Sequence, residues 1–359
     1  MNTTTIVIIA AVVVVALALL FLVRGRKQRV TFGDTPPLTR TAAHAPKIGP
    51  AVAAGCPVIL KPSEKTPLSA GMLVAAFDEI GLEPGMLNLV TGEPTEVVRI
   101  LIDDPRVPVI TFTGSATVGW DIARQAVKKH TILELGSNTA MVVSASADID
   151  RVVASAVAGA FGYSGQACIS LQRIYVHESV STELITKLVA AAQLLKGGDP
   201  ADDQTTLGPL ISETNAAKLA GWIRQAVDAG ANVCAGGKVN GNVLDATVLA
   251  NVPAGQPVLC EEVFAPLVCV NTYQDLDAAI DAANDSAFGI NTAIFTSDIS
   301  EALHYARRAQ SGAVLVNVSP SFRADNMPYG GIKDSGHGRE GVEYAVRELL
   351  QSKLVVLAS

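Results

Sequence analysis

A cysteine and a glutamate, each in a short segment with small neighbours, are the side chains of this sequence best suited to chemistry. Cys168 ends the segment Ser164-Gly165-Gln166-Ala167-Cys168, in which the backbone can come close to a ligand. Glu134 follows an apolar run in Leu133-Glu134-Leu135-Gly136. If the fold brings the two together, the sulfur can attack a carbonyl carbon and the carboxylate can activate water against the resulting thioester.

Both residues also have ordinary structural explanations. A lone cysteine is usually a small core residue, and a lone glutamate at a strand end is usually solvated or salt-bridged. The glycine and glutamine beside Cys168 argue against a core role. The histidines have no evident partner in the sequence, so a Cys–His hydrolase has little support. The cysteines form no Cys-x-x-Cys pair and no cluster with histidine, so we expect neither a metal site nor a disulfide framework. They are Cys56, Cys168, Cys234, Cys260 and Cys269.

Three further segments have residue types that can bind a nucleotide. Lys61-Pro62-Ser63-Glu64 ends the first clear strand, where an open parallel sheet binds ligands, and its lysine and glutamate can hold ribose hydroxyls. Phe112-Thr113-Gly114-Ser115 leads into a helix whose free N–H groups favour a phosphate, although it is neither a Gly-x-Gly-x-x-Gly motif nor a P-loop. Glu262 and Phe264 precede a strand, and the ring can pack against a flat ligand. Each segment also has a structural alternative. These are a solvated ion pair for the first, an ordinary capped helix for the second, and a surface acid beside a core phenylalanine for the third.

The elements that must position these residues alternate between strand and helix. Strands are predicted at 57–60, 86–90, 107–112 and 132–135, with helices between the first three and from Ser115 to about Lys129. This order predicts a parallel sheet covered by helices. A second α/β unit follows Gly136 and ends in a helix over 338–350 and a strand over 353–357.

Composition sets the size and class of the protein. The 359 residues are 49% hydrophobic, which is enough for two domains with separate cores. Charged residues make up 17% and the formal net charge is -7, so we expect no nucleic-acid partner.

The N-terminus has the pattern of a membrane anchor. Residues 6–23 form an unbroken apolar run, about long enough to cross a bilayer, and Arg24, Arg26, Lys27 and Arg29 follow at once. No basic residue precedes the run, which favours an anchor over a cleaved signal. The positive-inside rule then predicts a single-pass membrane protein with its catalytic part in the cytoplasm. A buried core helix or strand is the alternative.

Six motifs in a fixed order resemble the aldehyde dehydrogenase superfamily, from about Ile48 to the C-terminus. The details around Cys168 and Met327-Pro328-Tyr329 resemble members that act on lactaldehyde or phosphonoacetaldehyde. The motifs are Ala53-Ala54-Gly55-Cys56-Pro57-Val58-Ile59-Leu60-Lys61-Pro62-Ser63-Glu64, Phe112-Thr113-Gly114-Ser115, Leu133-Glu134-Leu135-Gly136, Gly165-Gln166-Ala167-Cys168, Glu261-Glu262-Val263-Phe264-Ala265-Pro266 and Pro328-Tyr329-Gly330-Gly331-Ile332-Lys333-Asp334-Ser335-Gly336.

The resemblance implies a reaction and a cofactor. An aldehyde would be oxidised to a carboxylic acid by NAD⁺ or NADP⁺, with Cys168 as the nucleophile and Glu134 as the general base. Glu64 would repel a 2′-phosphate, which favours NAD⁺, although Lys61 can compensate. The implied cofactor contacts are Lys61 and Glu64 for the adenosine ribose, Ser115 for the pyrophosphate, Glu262 for the nicotinamide ribose and Phe264 beside the ring. Gly114 and Leu135 are further implied cofactor-binding residues.

The resemblance also implies a fold, and it shows where this chain differs from the family. We expect an α/β protein with a partial Rossmann-like cofactor domain and an α/β catalytic domain of aldehyde dehydrogenase type, preceded by one transmembrane helix. The N-terminal part of the family, with an oxyanion-binding asparagine, would be replaced here, and Ser137 stands where a glycine is usual. The expected boundaries are 1–29 anchor, 30–46 linker, 47–135 incomplete NAD(P)-binding domain, 136–330 catalytic domain, and 331–359 C-terminal helix and oligomerisation strand.

Three functions follow from these observations. The first is an aldehyde dehydrogenase, impaired or not, that acts on a small aldehyde and is compatible with a homo-oligomer. The second is a remnant that binds cofactor or partners without turnover. The third is a thioesterase or esterase that needs no cofactor. The intact Lys61, Ser115, Glu262 and Phe264 favour the first two.

Overall fold

Helices and strands alternate through residues 45–358, the part of the chain that the computed structural model describes. The helices are α1 (Ala45–Ala53), α2 (Pro67–Glu79), α3 (Pro94–Asp103), α4 (Ala116–Gln125), α5 (Ile149–Phe161), α6 (Glu178–Ala192), α7 (Glu213–Asp228), α8 (Pro257–Cys260), α9 (Leu276–Asn284), α10 (Ile299–Arg308) and α11 (Val342–Glu348), with a 3-10 turn at Gly162–Gly165. The strands are β1 (Val58–Leu60), β2 (Leu87–Leu89), β3 (Val109–Thr113), β4 (His130–Glu134), β5 (Thr139–Val143), β6 (Leu171–His177), β7 (Asn232–Ala235), β8 (Val239–Asn240), β9 (Val243–Leu244), β10 (Thr247–Ala250), β11 (Leu267–Tyr273), β12 (Phe288–Gly289), β13 (Asn291–Phe295), β14 (Ala313–Val316), β15 (Ile332–Lys333) and β16 (Gly336–His337).

A seven-stranded sheet forms the centre of the C-terminal part. Its order is β14-β13-β5-β6-β11-β10-β7, parallel except where β7 joins β10. Both faces are covered: Met141 and Val143 of β5 pack with α5 and α6, whereas Ala140 and Val142 pack on the opposite face near α9. Strands buried on both faces read as continuous apolar runs, which is why their sequence does not alternate.

The strands before Gly136 form two separate sheets instead of the single parallel sheet that we predicted. β1 pairs in parallel with β2, and β4 lies between β3 (parallel) and β16 (antiparallel). Within residues 45–358, β1 has no second partner and neither does β3. Every residue of both strands lines one cleft of about 2380 Å³. Two strand edges therefore face the same cleft.

Our predicted fold class is corrected in one respect, the transmembrane helix. No helix within residues 45–358 is long and apolar enough to cross a membrane. The longest of them, α7, has 16 residues, fewer than the ~20 that a bilayer requires. The apolar run at 6–23 lies outside the described residues. The membrane partner, the single-pass topology and the location inferred from it are therefore withdrawn.

The C-terminus also differs from the prediction. The predicted helix over 338–350 is confirmed only as the shorter α11, and residues 351–358 form neither helix nor strand. A strand needs a neighbour to satisfy its backbone groups, and no described strand lies beside this segment. Its apolar side chains are strongly exposed; they are Leu354, Val355, Val356 and Leu357.

Candidate active site

Cys168 lies in a tight loop between α5 and β6. The preceding residues Tyr163, Ser164 and Gly165 have φ of 54°, 55° and 66°, in the left-handed region. A Cβ on Gly165 would lie 2.0 Å from the carbonyl oxygen of Ala265, so only glycine lets the loop pack this closely. The amide of Gln166 anchors the loop, since it donates to Pro209 O (3.2 Å) and accepts from the N–H of residue 211 (3.0 Å).

The sulfur of Cys168 is half-buried and 2.8 Å from the hydroxyl oxygen of Tyr329. Burial raises the pKa of the thiol, and the nearby carboxylates of Glu134, Glu262 and Glu340 raise it further. The hydrogen bond with Tyr329 lowers the pKa. The sulfur thus has a hydrogen-bond partner, the Tyr329 phenol, and lies near three carboxylates.

Glu134 ends β4, where its backbone pairs with Thr113 of β3 and Gly336 of β16. Its side chain is 5% exposed, and neither carboxylate oxygen accepts a hydrogen bond from the part of the chain that the structure describes. Burial and the charge of Glu340 raise the pKa of Glu134 to about 8, against the opposing influence of Lys47. A buried acceptor without a protein donor is free to bind water or substrate.

The two predicted chemical groups are brought together. The charge of Glu134 raises the pKa of Cys168, and it also raises that of Tyr329, the phenol that touches the sulfur. The geometry agrees, since Tyr329 touches the sulfur and Gly336, seven residues further along the same segment, pairs with Glu134. The thiol and the carboxyl therefore belong to one site.

Sequence reasoning missed Glu340 and Lys47, two charged residues near this pair. Glu340 is 7% exposed and pairs with Lys47 Nζ (3.3 Å) and Arg323 Nη2 (2.9 Å). Its backbone exchanges two hydrogen bonds with Tyr329, at 3.0 and 2.6 Å, and the Arg323 guanidinium lies 4.3 Å from the centre of the tyrosine ring. The motif at Tyr329 was visible in the sequence, but the contact partners were not.

Glu262 lies close to the residues that follow Glu134. Its Oε1 accepts a hydrogen bond from the N–H of Ser137 (2.9 Å), and a Cβ on Gly136 would lie 2.8 Å from its Oε2. Burial raises the pKa of Glu262, and the hydrogen bond from Ser137 lowers it. Phe264, two residues on, has φ of 51° and is 41% exposed. Although Ser137 carries a hydroxymethyl group where a glycine is usual, its backbone N–H still donates a hydrogen bond to Glu262.

The cleft between β1 and β3 contains some of the predicted cofactor residues. Lys61, Glu64 and Phe264 line it. So do Thr113, which precedes α4, and Val118 in the first turn of α4. An amine, a carboxylate, an exposed ring and a helix N-terminus around one cleft fit a dinucleotide. In this structure the Lys61 amine donates to Pro62 O at 2.6 Å.

The other predicted cofactor residues do not line this cleft. Ser115 caps α4, its hydroxyl accepting from the N–H of Val118 at 3.5 Å. A Cβ on Gly114 would lie 2.6 Å from the Phe112 ring. Leu135 is buried, with its side chain so close to Gly119 that a Cβ there would lie 2.3 Å away. Leu135 thus packs against the helix that Ser115 starts.

The sequence model of the aldehyde dehydrogenase family matches residues 41–355 of this chain. The chain belongs to the aldehyde dehydrogenase family. The family predicted from the motifs is confirmed, and so is the enzyme class, an NAD(P)-dependent aldehyde dehydrogenase.

Two curated relatives and one solved structure illustrate the match to aldehyde dehydrogenases. The 3-sulfolactaldehyde dehydrogenase of Priestia megaterium is 38% identical over 343 residues, covering 93% of this chain and 72% of the relative. The lactaldehyde dehydrogenase of Methanococcus aeolicus is 36% identical over 317 residues, covering 87% and 68%. The crystal structure of the glyceraldehyde-3-phosphate dehydrogenase GapN of Methanocaldococcus jannaschii, complexed with NADP, has a TM-score of 0.82 and 37% identity, covering 85% of this chain and 68% of that one. The chain thus spans about two thirds of the length of these proteins.

Proposed function

We propose that this chain oxidises a short aldehyde to a carboxylic acid with NAD⁺ or NADP⁺, through a thioester on Cys168. The observation that carries the proposal is Glu134, which is buried, accepts no hydrogen bond from residues 45–358, and lies in the same site as the thiol. A site of this kind holds a water molecule beside a covalently bound acyl group.

The side chains divide the steps between them. The Cys168 thiolate adds to the aldehyde carbon and later carries the acyl group as a thioester. NAD(P)⁺, when bound, would supply the two-electron oxidation as the hydride acceptor. The Glu134 carboxylate then takes a proton from water as the water attacks the thioester. Its raised pKa, about 8, makes it a stronger base than an exposed glutamate.

Residues on the cleft and beside it would hold the cofactor. Lys61 and Glu64 would bind the adenosine ribose, Gly114 and Ser115 the pyrophosphate at the start of α4, and Glu262 with Phe264 the nicotinamide end. Leu135, packed against α4, would support the pyrophosphate site. The carboxylate of Glu64 repels a 2′-phosphate, which favours NAD⁺ over NADP⁺.

The substrate class is a three-carbon 2-hydroxyaldehyde. Lactaldehyde, 3-sulfolactaldehyde and glyceraldehyde 3-phosphate, the compounds in the names of the three similar proteins, share this skeleton, and two of them carry an acidic group on the third carbon. Arg323 is 30% exposed and binds Glu340 through one nitrogen, so other N–H donors remain for an anion. It stacks on the ring whose hydroxyl touches Cys168. Arg323 therefore binds the acidic group of such a substrate.

The test measures NADH and NADPH formation with glyceraldehyde 3-phosphate and with lactaldehyde. We expect turnover that Cys168→Ala abolishes and the matched variant Cys234→Ala leaves unchanged. Arg323→Met should raise KM for the phosphorylated aldehyde and change it little for lactaldehyde. Absence of turnover with either cofactor, alongside tight cofactor binding, would instead support a remnant without activity.

The exposed apolar residues 354–357 also suggest a homo-oligomer. Four consecutive apolar side chains exposed to water are typical of an interaction surface. A second copy of this chain is the partner we propose for them.

A further inference from the structure

The hydroxyl of Tyr329 is fixed at the sulfur of Cys168. The two atoms are 2.8 Å apart, although the residues are 161 positions apart in the chain. Tyr329 is 4% exposed, its ring lies under the Arg323 guanidinium, and its backbone is bonded to that of Glu340 in both directions. These contacts leave the phenol little freedom to turn away from the sulfur.

The direction of this hydrogen bond follows from the charge on the sulfur. A thiolate can only accept, so the phenol donates whenever Cys168 is in its nucleophilic form. Burial, Cys168 itself and the carboxylates of Glu134 and Glu340 keep the pKa of Tyr329 well above its usual range. A phenol with a raised pKa keeps its proton more firmly and so remains available as a donor.

The other groups that face the sulfur act against the thiolate. The carboxylates of Glu134, Glu262 and Glu340 and the burial of the site all raise the pKa of Cys168, whereas the Tyr329 hydroxyl lowers it. A hydrogen bond to a charged atom is about twice as strong as a neutral one. A single donor can thus decide how much thiolate is present.

We propose that Tyr329 is a further catalytic residue, the hydrogen-bond donor that stabilises the Cys168 thiolate for attack on the aldehyde. The inference rests on the proposed function in that Cys168 is taken as the nucleophile. It goes beyond it by assigning the activation of the sulfur to a phenol, with Glu134 left free to act on water.

The test measures the thiolate directly and needs no turnover. Iodoacetamide alkylation of Cys168 is followed by mass spectrometry from neutral to alkaline pH. In Tyr329→Phe we expect the rate below the thiol pKa to fall roughly tenfold and the pH profile to move to higher pH. The matched control is Tyr305→Phe, which removes another buried hydroxyl, bonded to Thr292 on β13 of the seven-stranded sheet. It should keep the wild-type profile.

A second measurement covers the case in which Tyr329→Phe does not fold. Replacement of all tyrosines by 3-fluorotyrosine makes the phenol of Tyr329 more acidic without removing it. The alkylation profile of Cys168 should then move to lower pH. The same shift is expected in the Tyr305→Phe variant, which shows that Tyr305 is not its source. An unshifted profile in a folded Tyr329→Phe protein, or in the fluorinated protein, overturns the proposal. A shifted profile in a protein without aldehyde turnover keeps Tyr329 as the donor and rejects the proposed function alone.

Discussion

In the proposed mechanism, the ionisation of Glu134 decides when the thioester can be hydrolysed. Its pKa of about 8 results from burial and from the charge of Glu340, with Lys47, Arg323 and Arg339 opposing. A general base acts in its deprotonated form, so thioester hydrolysis should increase as the pH rises through this value. The formation of the thioester depends instead on Cys168.

Replacing Glu134 with glutamine should separate these two steps. We expect Glu134→Gln to lower kcat by roughly 10²–10⁴-fold, since a positioned base contributes about that much. The first turnover should still produce a burst of reduced cofactor, because the acyl group then waits on Cys168. Rapid-mixing absorbance measurements test this. A variant with wild-type kcat, or one that loses the burst as well, would show that Glu134 does not act on the thioester.

Glu340 should set the pH at which Glu134 becomes active. In Glu340→Gln one negative charge next to Glu134 is lost, and Lys47 and Arg323 lose the partner that neutralises them. All three changes favour the carboxylate form, so the ascending limb of the kcat–pH profile should move to lower pH. The control is Glu343→Gln, whose carboxylate pairs with an exposed arginine on α11. An unmoved limb would contradict the assignment.

At the level of elements, the loop between α5 and β6 depends on one glycine. Gly165→Ala would place a Cβ 2.0 Å from the Ala265 carbonyl at a φ of +66°, so the loop must move. We expect a lower Tm and a loss of at least roughly tenfold in kcat/KM, because small displacements of reacting groups are costly. Gly162→Ala, in the same turn with φ of -54° and open space around it, is the matched control. Equal behaviour of the two variants would refute the argument.

The sequence predicted the elements better than their assembly. Strand and helix positions came from local apolar runs, turns and caps, and β1, β3 and α4 begin within about two residues of the prediction. The contact between Cys168 and Tyr329 could not be read, because it joins residues from distant parts of the chain. The division of the first sheet could not be read either, since strand order depends on which edges meet. The catalytic and cofactor roles of the predicted site residues all remain predictions; the residues are Cys168, Glu134, Lys61, Glu64, Gly114, Ser115, Leu135, Glu262 and Phe264.

For the whole molecule, the exposed C-terminal segment should control association. Removing residues 351–359 should leave Tm nearly unchanged, because Leu354 and Leu357 are 87% and 91% exposed and contribute little to the core. The molar mass from light scattering should fall if copies of the chain meet through this segment. Removing residues 358–359 alone is the control. An unchanged mass in the longer deletion would place any interface elsewhere.

The two strand edges that face the cleft have a consequence for local stability. Backbone amides on the outer edges of β1 and β3 lack a strand partner within residues 45–358, so their protons should exchange with deuterium faster than those of β5 or β6, which have neighbours on both sides. A ligand that fills the cleft should slow this exchange and raise the melting temperature with its concentration. The half of the protein that we propose to bind the nucleotide should then be the half that opens first on heating.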